Sequence, residues 1–284
     1  MPGQERSTYV LVLDIGNTTI KVGVADALAV RATYALPTLA GQTPDSLGLT
    51  LVQLLAHAGV PVGEVAACVC SSVVPGMTLL VREACARFVQ SVFLRVPDDI
   101  PVPLENRYTR PAEVGADRLV GAFAARRLFP LPPVGGAVPD AGAGAPSLIV
   151  VDFGTATTFD CVSGNAYLGG LIFPGVYTAA RALSSNTAQL PRVDLEVRHA
   201  EPQPGRDTAS SIRDGIVFGY ACMVEGLAAR LARQLPPPVK VLATGGFARD
   251  LNRITQCFDH VLPDLLLDGL RQLYGMWRQP EGWS

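Results

Sequence analysis

Two short segments of this sequence carry residues that together can bind phosphate and cations. Residues 10–24 (VLVLDIGNTTIKVGV) and 148–162 (LIVVDFGTATTFDCV) each read as an apolar strand, an Asp-x-Gly turn rich in hydroxyls, and a second strand. Glycine lets the backbone of such a turn approach a ligand, so its N–H groups and the threonine hydroxyls can donate to phosphate oxygens. An aspartate at the strand end cannot bind an anion, but it can hold a cation or the water around one.

The two segments align at an offset of 138 residues. This offset places Asp14 over Asp152, Gly16 over Gly154, Thr19 over Thr157 and Val24 over Val162. A single Asp-Gly hairpin is common, whereas two with the same polar residues in the same register predict two similar domains. Two similar domains that face each other form a cleft, and clefts hold ligands.

The segment Gly115-Ala116-Asp117-Arg118 opens an apolar helix and allows two interpretations. In the first, Asp117 complements the helix dipole from the first turn, and Arg118 faces solvent. In the second, Asp117 accepts a proton from a substrate hydroxyl while Arg118 binds an anion. Spacing alone leaves both open.

Two further features belong with these candidates. The chain has only two lysines, Lys21 and Lys240, among its 23 lysines and arginines, and Lys21 lies in the first hairpin. Residues 244–246 (TGG) follow a predicted strand, and they would either form a plain turn or let the backbone pack against a flat base or sugar.

Composition excludes several classes of protein. The 284 residues are 49% hydrophobic and 17% charged, with a net charge of -2. This apolar content excludes a disordered chain, and the charge argues against a protein that binds nucleic acid. The motifs G-x-x-x-x-G-K-[ST] and G-x-G-x-x-G are absent, so P-loop nucleotide binding is excluded.

The same composition bears on location. No apolar run reaches the roughly 18 residues of a membrane span, and the first residues do not resemble a signal peptide. The six cysteines show no C-x-x-C spacing, which predicts free and mostly buried thiols in a reducing compartment. We therefore expect a cytoplasmic protein whose partners include neither nucleic acid nor a membrane.

The rest of the chain alternates strand and helix patterns. After the first hairpin we predict strands at 29–36 and 65–71 and helices at 43–58 and 77–89. In the second half we predict helices at 176–190, 208–235 (capped by Asp207) and 265–277, with a strand at 240–243. Residues 131–147 are rich in Pro and Gly and predict a flexible insertion. We accordingly divide the chain into domains 1–130 and 148–284.

Several motifs spread along the chain together resemble type III pantothenate kinase. They are DIGNTTIK (14–21), SSVVPG (71–76), GADR (115–118), DFGTATTFD (152–160), GGLIFPG (169–175), TAQLP (187–191), GRDT (205–208) and TGG (244–246). The resemblance implies the α/β fold of the actin, sugar kinase and heat-shock chaperone superfamily. That fold consists of two duplicated ribonuclease H-like (actin-like ATPase) domains around a nucleotide cleft.

The resemblance also implies a reaction, its cofactors and its assembly. ATP would phosphorylate the 4′-hydroxyl of pantothenate, the first step of coenzyme A synthesis, with Asp117 as the catalytic base. Mg²⁺ would accompany ATP, reached through water near Asp14, and a monovalent cation (K⁺ or NH₄⁺) would bind at Asp152. The family is a homodimer whose substrate site is completed across the interface, and domain 148–284 would supply the dimer helices.

The resemblance carries over a set of binding residues position by position. The implied ATP contacts are Asp14, Ile15, Gly16, Asn17, Thr18, Thr19, Ile20, Lys21 and Thr155. The implied pantothenate contacts are Tyr108, Gly115, Ala116, Asp117, Arg118 and Thr208, the last of them serving the site of the neighbouring subunit.

Two departures from the family pattern affect residues near these contacts. Arg110 stands where the family has the asparagine of Tyr-x-Asn-Pro, and Arg206 replaces the lysine of Gly-Lys-x-Thr. Arginine and lysine differ in hydrogen-bonding geometry, although the charge is kept. Neither departure removes a proposed catalytic group.

Three other functions stay open at this point. A regulatory relative, of the kind first described as an accessory factor for transcription, would bind the ligand without turnover. Another kinase or ATPase of the same fold would act on a sugar or an acid. A filament-forming, actin-like protein would polymerise with nucleotide. The intact Asp14, Asp117 and Asp152 favour catalysis.

Overall fold

The computed structural model describes residues 9–131, 145–185 and 190–279. Most of the predicted insertion at 131–147, and Thr187, Ala188 and Gln189 of the TAQLP motif, lie outside these ranges. The described chain divides into two units. The first contains residues 9–103, 112–124 and 264–279, and the second contains residues 104–111, 125–131, 145–185 and 190–263.

The elements alternate along the chain as an α/β pattern. In order they are β1 (Tyr9–Ile15), β2 (Thr19–Ala25), β3 (Val30–Pro37), α1 (Pro44–His57), β4 (Val65–Ser72), α2 (Pro75–Ala84), β5 (Val92–Arg95), β6 (Glu105–Asn106), α3 (Ala116–Leu128), β7 (Ser147–Phe153), β8 (Ala156–Ser163), β9 (Ala166–Pro174), α4 (Val176–Ser185), α5 (Thr208–Ala232), β10 (Val239–Gly245), α6 (Ala248–Leu251), β11 (His260–Val261) and α7 (Leu265–Arg278).

The first unit is built on a five-stranded sheet in the order β3-β2-β1-β4-β5. Strands β1, β2 and β3 are antiparallel neighbours, while β4 pairs in parallel with β1 and β5. Successive side chains of β1 point to alternate faces of the sheet, so Leu11, Leu13 and Ile15 lie together in one core. Helix α1 adds Leu47, Leu51 and Leu55, which share one helical face at a spacing of four residues.

Helices α3 and α7 pack closely against each other in the first unit. Gly269 of α7 lies so near Val120 and Ala124 of α3 that a Cβ there would have to displace them. Helix α7 also contacts β1, β2, β3 and β4. Because of this packing, the last helix belongs to the first unit, although it is the most distant part of the chain in sequence.

The second unit repeats this plan on a six-stranded sheet in the order β11-β10-β7-β8-β9-β6. Strands β7, β8 and β9 are antiparallel neighbours, and β10 pairs in parallel with β7. The core of this unit lies between the sheet and α5, whose Ile216, Tyr220 and Val224 are buried. The N-cap of α5 is Asp207, whose side chain accepts from the backbone N–H of Ser210, as predicted.

Most predicted elements are present with shifted ends. Thr43 caps α1 at the predicted position, and α2 begins two residues before the prediction because Pro75 suits the first turn of a helix. The division of the chain differs from the predicted 1–130 and 148–284 at three places. Residues 104–111 join the second unit through β6, and residues 125–130, which include the end of α3, also fall in the second unit. Residues 264–279 join the first unit through α7.

The predicted register of the duplicated hairpins is wrong by one residue. In the first hairpin Ile15 pairs with Ile20, and in the second Phe153 pairs with Thr157. The second turn is therefore one residue shorter, and the second strands align at an offset of 137. The counterpart of Lys21 is Thr158, and Thr157 corresponds to Ile20 instead of Thr19.

All six cysteines are free, in agreement with the prediction. Cys68, Cys70, Cys85 and Cys161 are buried, whereas Cys222 is exposed. Burial raises the pKa of the Cys70 thiol to about 12. This thiol is therefore protonated at neutral pH.

Among the described residues, one helix is long and apolar enough to cross a membrane by length and composition. This helix is α5, with a mean hydropathy of 1.4 over its most apolar window, of which 33% is buried. It also carries an ion pair, Arg213 Nε to Asp214 Oδ1 at 2.8 Å, on residues that are 9% exposed. A helix from the core of a water-soluble protein passes the same test, so this finding is weak evidence for a membrane span.

Candidate active site

The first hairpin holds Asp14 at the end of a buried strand. Across the sheet Asp14 stands opposite Lys21 on β2 and Ser71 on β4. Ser71 donates its hydroxyl to Oδ1 of Asp14 at 2.9 Å. The hydrogen bond from the buried Ser71 hydroxyl fixes the orientation of the Asp14 carboxylate, so that it can bind a cation at the end of the strand.

The turn that follows Asp14 is braced by the end of β3. The N–H of Gly16 donates to the Thr19 carbonyl at 3.0 Å, and the N–H of Thr38 donates to the Thr18 carbonyl at 2.9 Å. The hydroxyl of Thr38 donates to the Gly16 carbonyl at 2.8 Å. Asn17 and Thr18 are exposed at the tip. The turn is a fixed loop whose tip is open to a ligand.

Two residues of the predicted ATP loop have side chains in the hydrophobic core. The side chains of Ile15 and Ile20 are fully buried. Only their backbone groups are available for contact with phosphate. The residues of the loop whose side chains reach outside the core are Asp14, Asn17, Thr18, Thr19 and Lys21.

Asp117 lies in the first turn of α3, with its carboxylate folded back over Gly115. Its Oδ1 accepts from the backbone N–H of Arg118 at 2.9 Å, and a Cβ on Gly115 would collide with the same oxygen. Burial raises the pKa of Asp117, and the Arg118 N–H and the charges of Arg118 and Lys21 only partly offset this. A carboxyl whose pKa is raised by burial is a stronger base than an exposed one.

The position of Arg118 bears on the first of the two interpretations of GADR. The solvent-facing arginine of the first interpretation is wrong, because Arg118 is 9% exposed. The charge of Lys21 also acts on Asp117 and lowers its pKa slightly, and both residues belong to the first unit. This cluster can take a proton from a hydroxyl beside two positive charges.

Asp152 occupies the position in the second unit that Asp14 occupies in the first. It stands opposite Thr158 on β8 and Thr244 on β10. Gly245, with φ of +90°, lies against it, and a Cβ there would collide with Oδ1 of Asp152 and lie 2.6 Å from the Phe153 N. The TGG motif thus has a steric role, since only glycine leaves room for this carboxylate.

The turn after Asp152 is held by the start of α4. The N–H of Gly175 donates to the Thr155 carbonyl at 3.0 Å, and the Thr178 hydroxyl donates to the same oxygen at 2.8 Å. Thr155 itself is exposed. Its side chain can therefore reach a ligand while its backbone is fixed.

The remaining predicted substrate residues lie in different parts of the second unit. Tyr108 follows β6 and is half-buried, and its N–H donates to Oδ1 of Asn106 at 3.0 Å. Thr208 is exposed in the first turn of α5, and both Arg110 and Arg206 are exposed. The structure thus places Asp14, Lys21, Asp117 and Arg118 in the first unit, and Asp152, Thr155, Tyr108 and Thr208 in the second.

Sequence reasoning assigned no role to Ser71, although SSVVPG belongs to the recognised motifs. Its hydroxyl binds Asp14 because β4 lies parallel to β1, with both strands ending at the same edge of the sheet. A buried polar residue at the end of an apolar strand was the available signal.

Comparisons with known proteins show the family to which the chain belongs. A family model described as type III pantothenate kinase matches residues 10–230. A curated type III pantothenate kinase from Desulfovibrio desulfuricans is 61% identical over 93% of this chain and 95% of its own length. Another, from Nitratidesulfovibrio vulgaris, is 57% identical over 94% and 97%.

Solved structures with low sequence identity show the fold alone. A candidate Baf family transcriptional activator from Campylobacter jejuni has a TM-score of 0.57 at 16% identity and covers 96% of this chain and 100% of its own. A candidate 2-dehydro-3-deoxygalactonokinase from Sinorhizobium meliloti has a TM-score of 0.52 at 15% identity and covers 96% and 97%. The predicted fold class of duplicated actin-like α/β domains is confirmed. By the family model and these relatives, the chain belongs to the type III pantothenate kinase family.

Proposed function

We propose that this protein transfers the γ-phosphoryl group of ATP to the 4′-hydroxyl of pantothenate, which is the first step of coenzyme A synthesis. The observation that carries the proposal is the carboxyl of Asp117, held over Gly115 at the start of α3 with its pKa raised by burial beside Arg118 and Lys21. The family membership supplies the substrate.

Asp117 acts as the general base. It accepts the proton of the pantothenate hydroxyl as that oxygen attacks the γ-phosphorus and the bond to the β–γ bridging oxygen of ATP breaks. The nearby charges of Arg118 and Lys21 keep the ionised form accessible despite burial. A positioned base of this kind typically contributes about 10²–10⁴-fold to the rate.

The first hairpin binds the triphosphate. The exposed turn at Asn17 and Thr18 offers N–H and hydroxyl donors, and Lys21 adds a positive charge. Phosphoryl transfer depends mainly on in-line positioning and on screening the charge of the γ-phosphate. Thr155, whose backbone is fixed by α4, is a further ATP contact.

A divalent ion accompanies ATP in kinases, and Asp14 is the group proposed to meet Mg²⁺ through water. The site fits such an ion, since Asp14 presents carboxylate oxygens, the hard donors that Mg²⁺ prefers, and the hydroxyl of the buried Ser71 orients them. No cluster of three or more His, Cys, Asp or Glu side chains suited to a metal occurs in the described ranges, which agrees with an ion held mostly by water and phosphate. When bound, the ion neutralises charge on the phosphates.

Asp152 is the proposed ligand of a monovalent cation, K⁺ or NH₄⁺. One carboxylate beside the neutral Thr158, Thr244 and the backbone of Gly245 fits an ion of single charge. The ion would supply positive charge on the side of the second hairpin, where the position opposite the aspartate holds no lysine.

Pantothenate is proposed to contact Tyr108, Gly115, Ala116 and Arg118, with Thr208 reaching the site of a second subunit in a homodimer. Support for a dimer comes from exposed apolar residues in the second unit. Leu171, Ile172 and Phe173 at the end of β9 are 37%, 65% and 40% exposed. Helix α5, which begins at Thr208, is apolar yet only a third of its apolar window is buried. Surfaces of this kind mark contacts between proteins.

A coupled assay of ADP release tests the proposed function. Purified protein with ATP and Mg²⁺ is compared with and without pantothenate, first in potassium and then in sodium buffer. Pantothenate-dependent release that needs K⁺ or NH₄⁺ is the expected result. A folded protein that binds ATP but releases no ADP in any buffer would instead support a regulatory relative.

A further inference from the structure

One buried carboxylate in the second unit has no part in the function described so far. Asp160, in the middle of β8, is 3% exposed. The Tyr167 hydroxyl donates to its Oδ1 at 2.8 Å, and the Thr158 hydroxyl donates to its Oδ2 at 3.0 Å. A buried carboxylate needs such donors, and a pair of apolar residues would stabilise a core at least as well. The contribution of Asp160 to stability alone therefore does not explain its presence in this core.

The partner of Asp160 lies under a proposed substrate residue. Tyr167 is fully buried, and its ring centroid lies 6.4 Å from that of Tyr108 at a tilt of 42°. On the same strand Gly169 adopts φ of +109°, and a Cβ there would lie 3.3 Å from Cδ2 and Cε2 of Tyr108. The ring of Tyr108 thus rests on Tyr167 and on the bare backbone of Gly169.

The backbone before Tyr108 is fixed to the same strand. The N–H of Arg107 donates to the Tyr167 carbonyl at 2.9 Å, and the N–H of Tyr108 donates to the Asn106 side chain. Tyr108 is half-buried, so the part of its ring not packed in this way remains available to a ligand. Any movement of Tyr167 would change the position of Tyr108 through both ring and backbone.

We propose that Asp160 is a positioning residue for pantothenate: its carboxylate fixes Tyr167, and Tyr167 together with Gly169 fixes the ring of Tyr108 for substrate contact. The inference rests on the proposed function, in which Tyr108 contacts pantothenate. It assigns to Asp160 and Tyr167 an effect on substrate binding without contact with the reacting atoms. A fixed ring binds more tightly than a mobile one, because less side-chain freedom is lost on binding.

Two conservative variants test this proposal. Tyr167→Phe removes only the hydroxyl donated to Asp160, and Asp160→Asn keeps the shape of the side chain while removing its charge. The control is Tyr34→Phe in the first unit, which removes a hydroxyl that lies 2.9 Å from Nδ1 of His57 and 3.3 Å from the Leu54 carbonyl oxygen. For each protein, kcat and the KM values for pantothenate and ATP are measured, together with pantothenate affinity by calorimetry without ATP.

The expected result is a rise of about 3- to 10-fold in the pantothenate KM and dissociation constant of both test variants, the scale of one lost hydrogen bond. The KM for ATP and kcat stay within about twofold of wild type, since binding of the reacting groups is untouched. Thermal unfolding is recorded in parallel. If Asp160→Asn does not fold, Tyr167→Phe carries the test alone.

Two results would overturn the proposal. One is a pantothenate KM in Tyr167→Phe no higher than in Tyr34→Phe. The other is an equal loss for ATP and pantothenate, which indicates a purely structural role. A wild-type protein that neither binds nor turns over pantothenate would instead overturn the proposed function on which the inference rests.

Discussion

The two Asp-x-Gly hairpins share a backbone plan but differ in the charge around their aspartates. Asp14 on β1 stands opposite Lys21 on β2 and accepts a hydrogen bond from the Ser71 hydroxyl. Asp152 faces Thr158, whose hydroxyl is donated to Asp160. Thr244 corresponds to Ser71, but its hydroxyl donates to the Pro263 carbonyl at 3.5 Å.

This difference suggests how a duplicated fold acquires two roles. Lys21 places a positive charge in the first hairpin, and this charge also acts on Asp117. The second hairpin has a neutral residue at the equivalent position, so an ion from solution can bind there. We infer that the first hairpin uses the ammonium group of Lys21 as its positive charge, whereas the second binds a monovalent cation from solution at Asp152. The predictions below test this contrast, from the largest expected effect to the smallest.

The largest effect is expected at Asp117, whose pKa the charge of Lys21 lowers. Asp117→Asn should lower kcat at neutral pH by at least about 10²-fold, because the base is lost while the shape of the side chain is kept. ATP binding, measured by calorimetry, should survive. Wild-type turnover in this variant would remove Asp117 from the mechanism.

The next effect is expected at Lys21 itself. Lys21→Gln should lower kcat/KM for ATP by about 30-fold, the equivalent of about 2 kcal/mol for a charged contact with phosphate. Lys240→Gln is the matched control, since Lys240 is the only other lysine and pairs with Asp259 at 2.7 Å. Equal losses in the two variants would show that Lys21 has no special role.

The second hairpin should respond in a different way. Asp152→Asn should lower turnover in potassium buffer by about 10-fold, towards the rate in sodium buffer. The reason is that this variant lacks the carboxylate proposed to bind K⁺. Asp98→Asn, at an exposed carboxylate, serves as the control. An unchanged ratio of the potassium rate to the sodium rate in Asp152→Asn would place the cation elsewhere.

The smallest effect is expected at Ser71. Ser71→Ala removes the hydroxyl that orients Asp14 and should raise the KM for MgATP by about 3- to 5-fold. This is less than the full contribution of a hydrogen bond to a carboxylate, because Ser71 acts on the ligand only through Asp14. Kinetics at varied MgATP and saturating pantothenate measure this change. Because Ser71 is fully buried, thermal unfolding is needed to separate a local effect from lost stability.

Much of the local structure follows from sequence pattern. Continuous apolar runs predicted the first strand of each hairpin, and the polar residue Asp207 predicted the N-cap of α5. These features depend on neighbours within a few residues. The family motifs also identified Asp117, whose buried setting the structure then described.

Other features depend on contacts between distant parts of the chain. The length of the second turn determines that Thr158, and not Thr157, lies opposite Asp152. Alignment of the two segments at one fixed offset could not detect this shift of one residue. Helix α7 joins the first unit only because Gly269 allows close packing on α3. The partners of Ser71 and Asp160 likewise become visible only once the strands are paired.

The most direct test of the central claim is the pH dependence of kcat in wild type and Asp117→Asn. Burial raises the pKa of Asp117 above its ordinary 3.8, so the base becomes protonated, and kcat falls, as pH drops through that raised value. The wild type should show this acid limb, and the residual activity of Asp117→Asn should lack it. An identical acid limb in both proteins would contradict the assignment of Asp117 as the base.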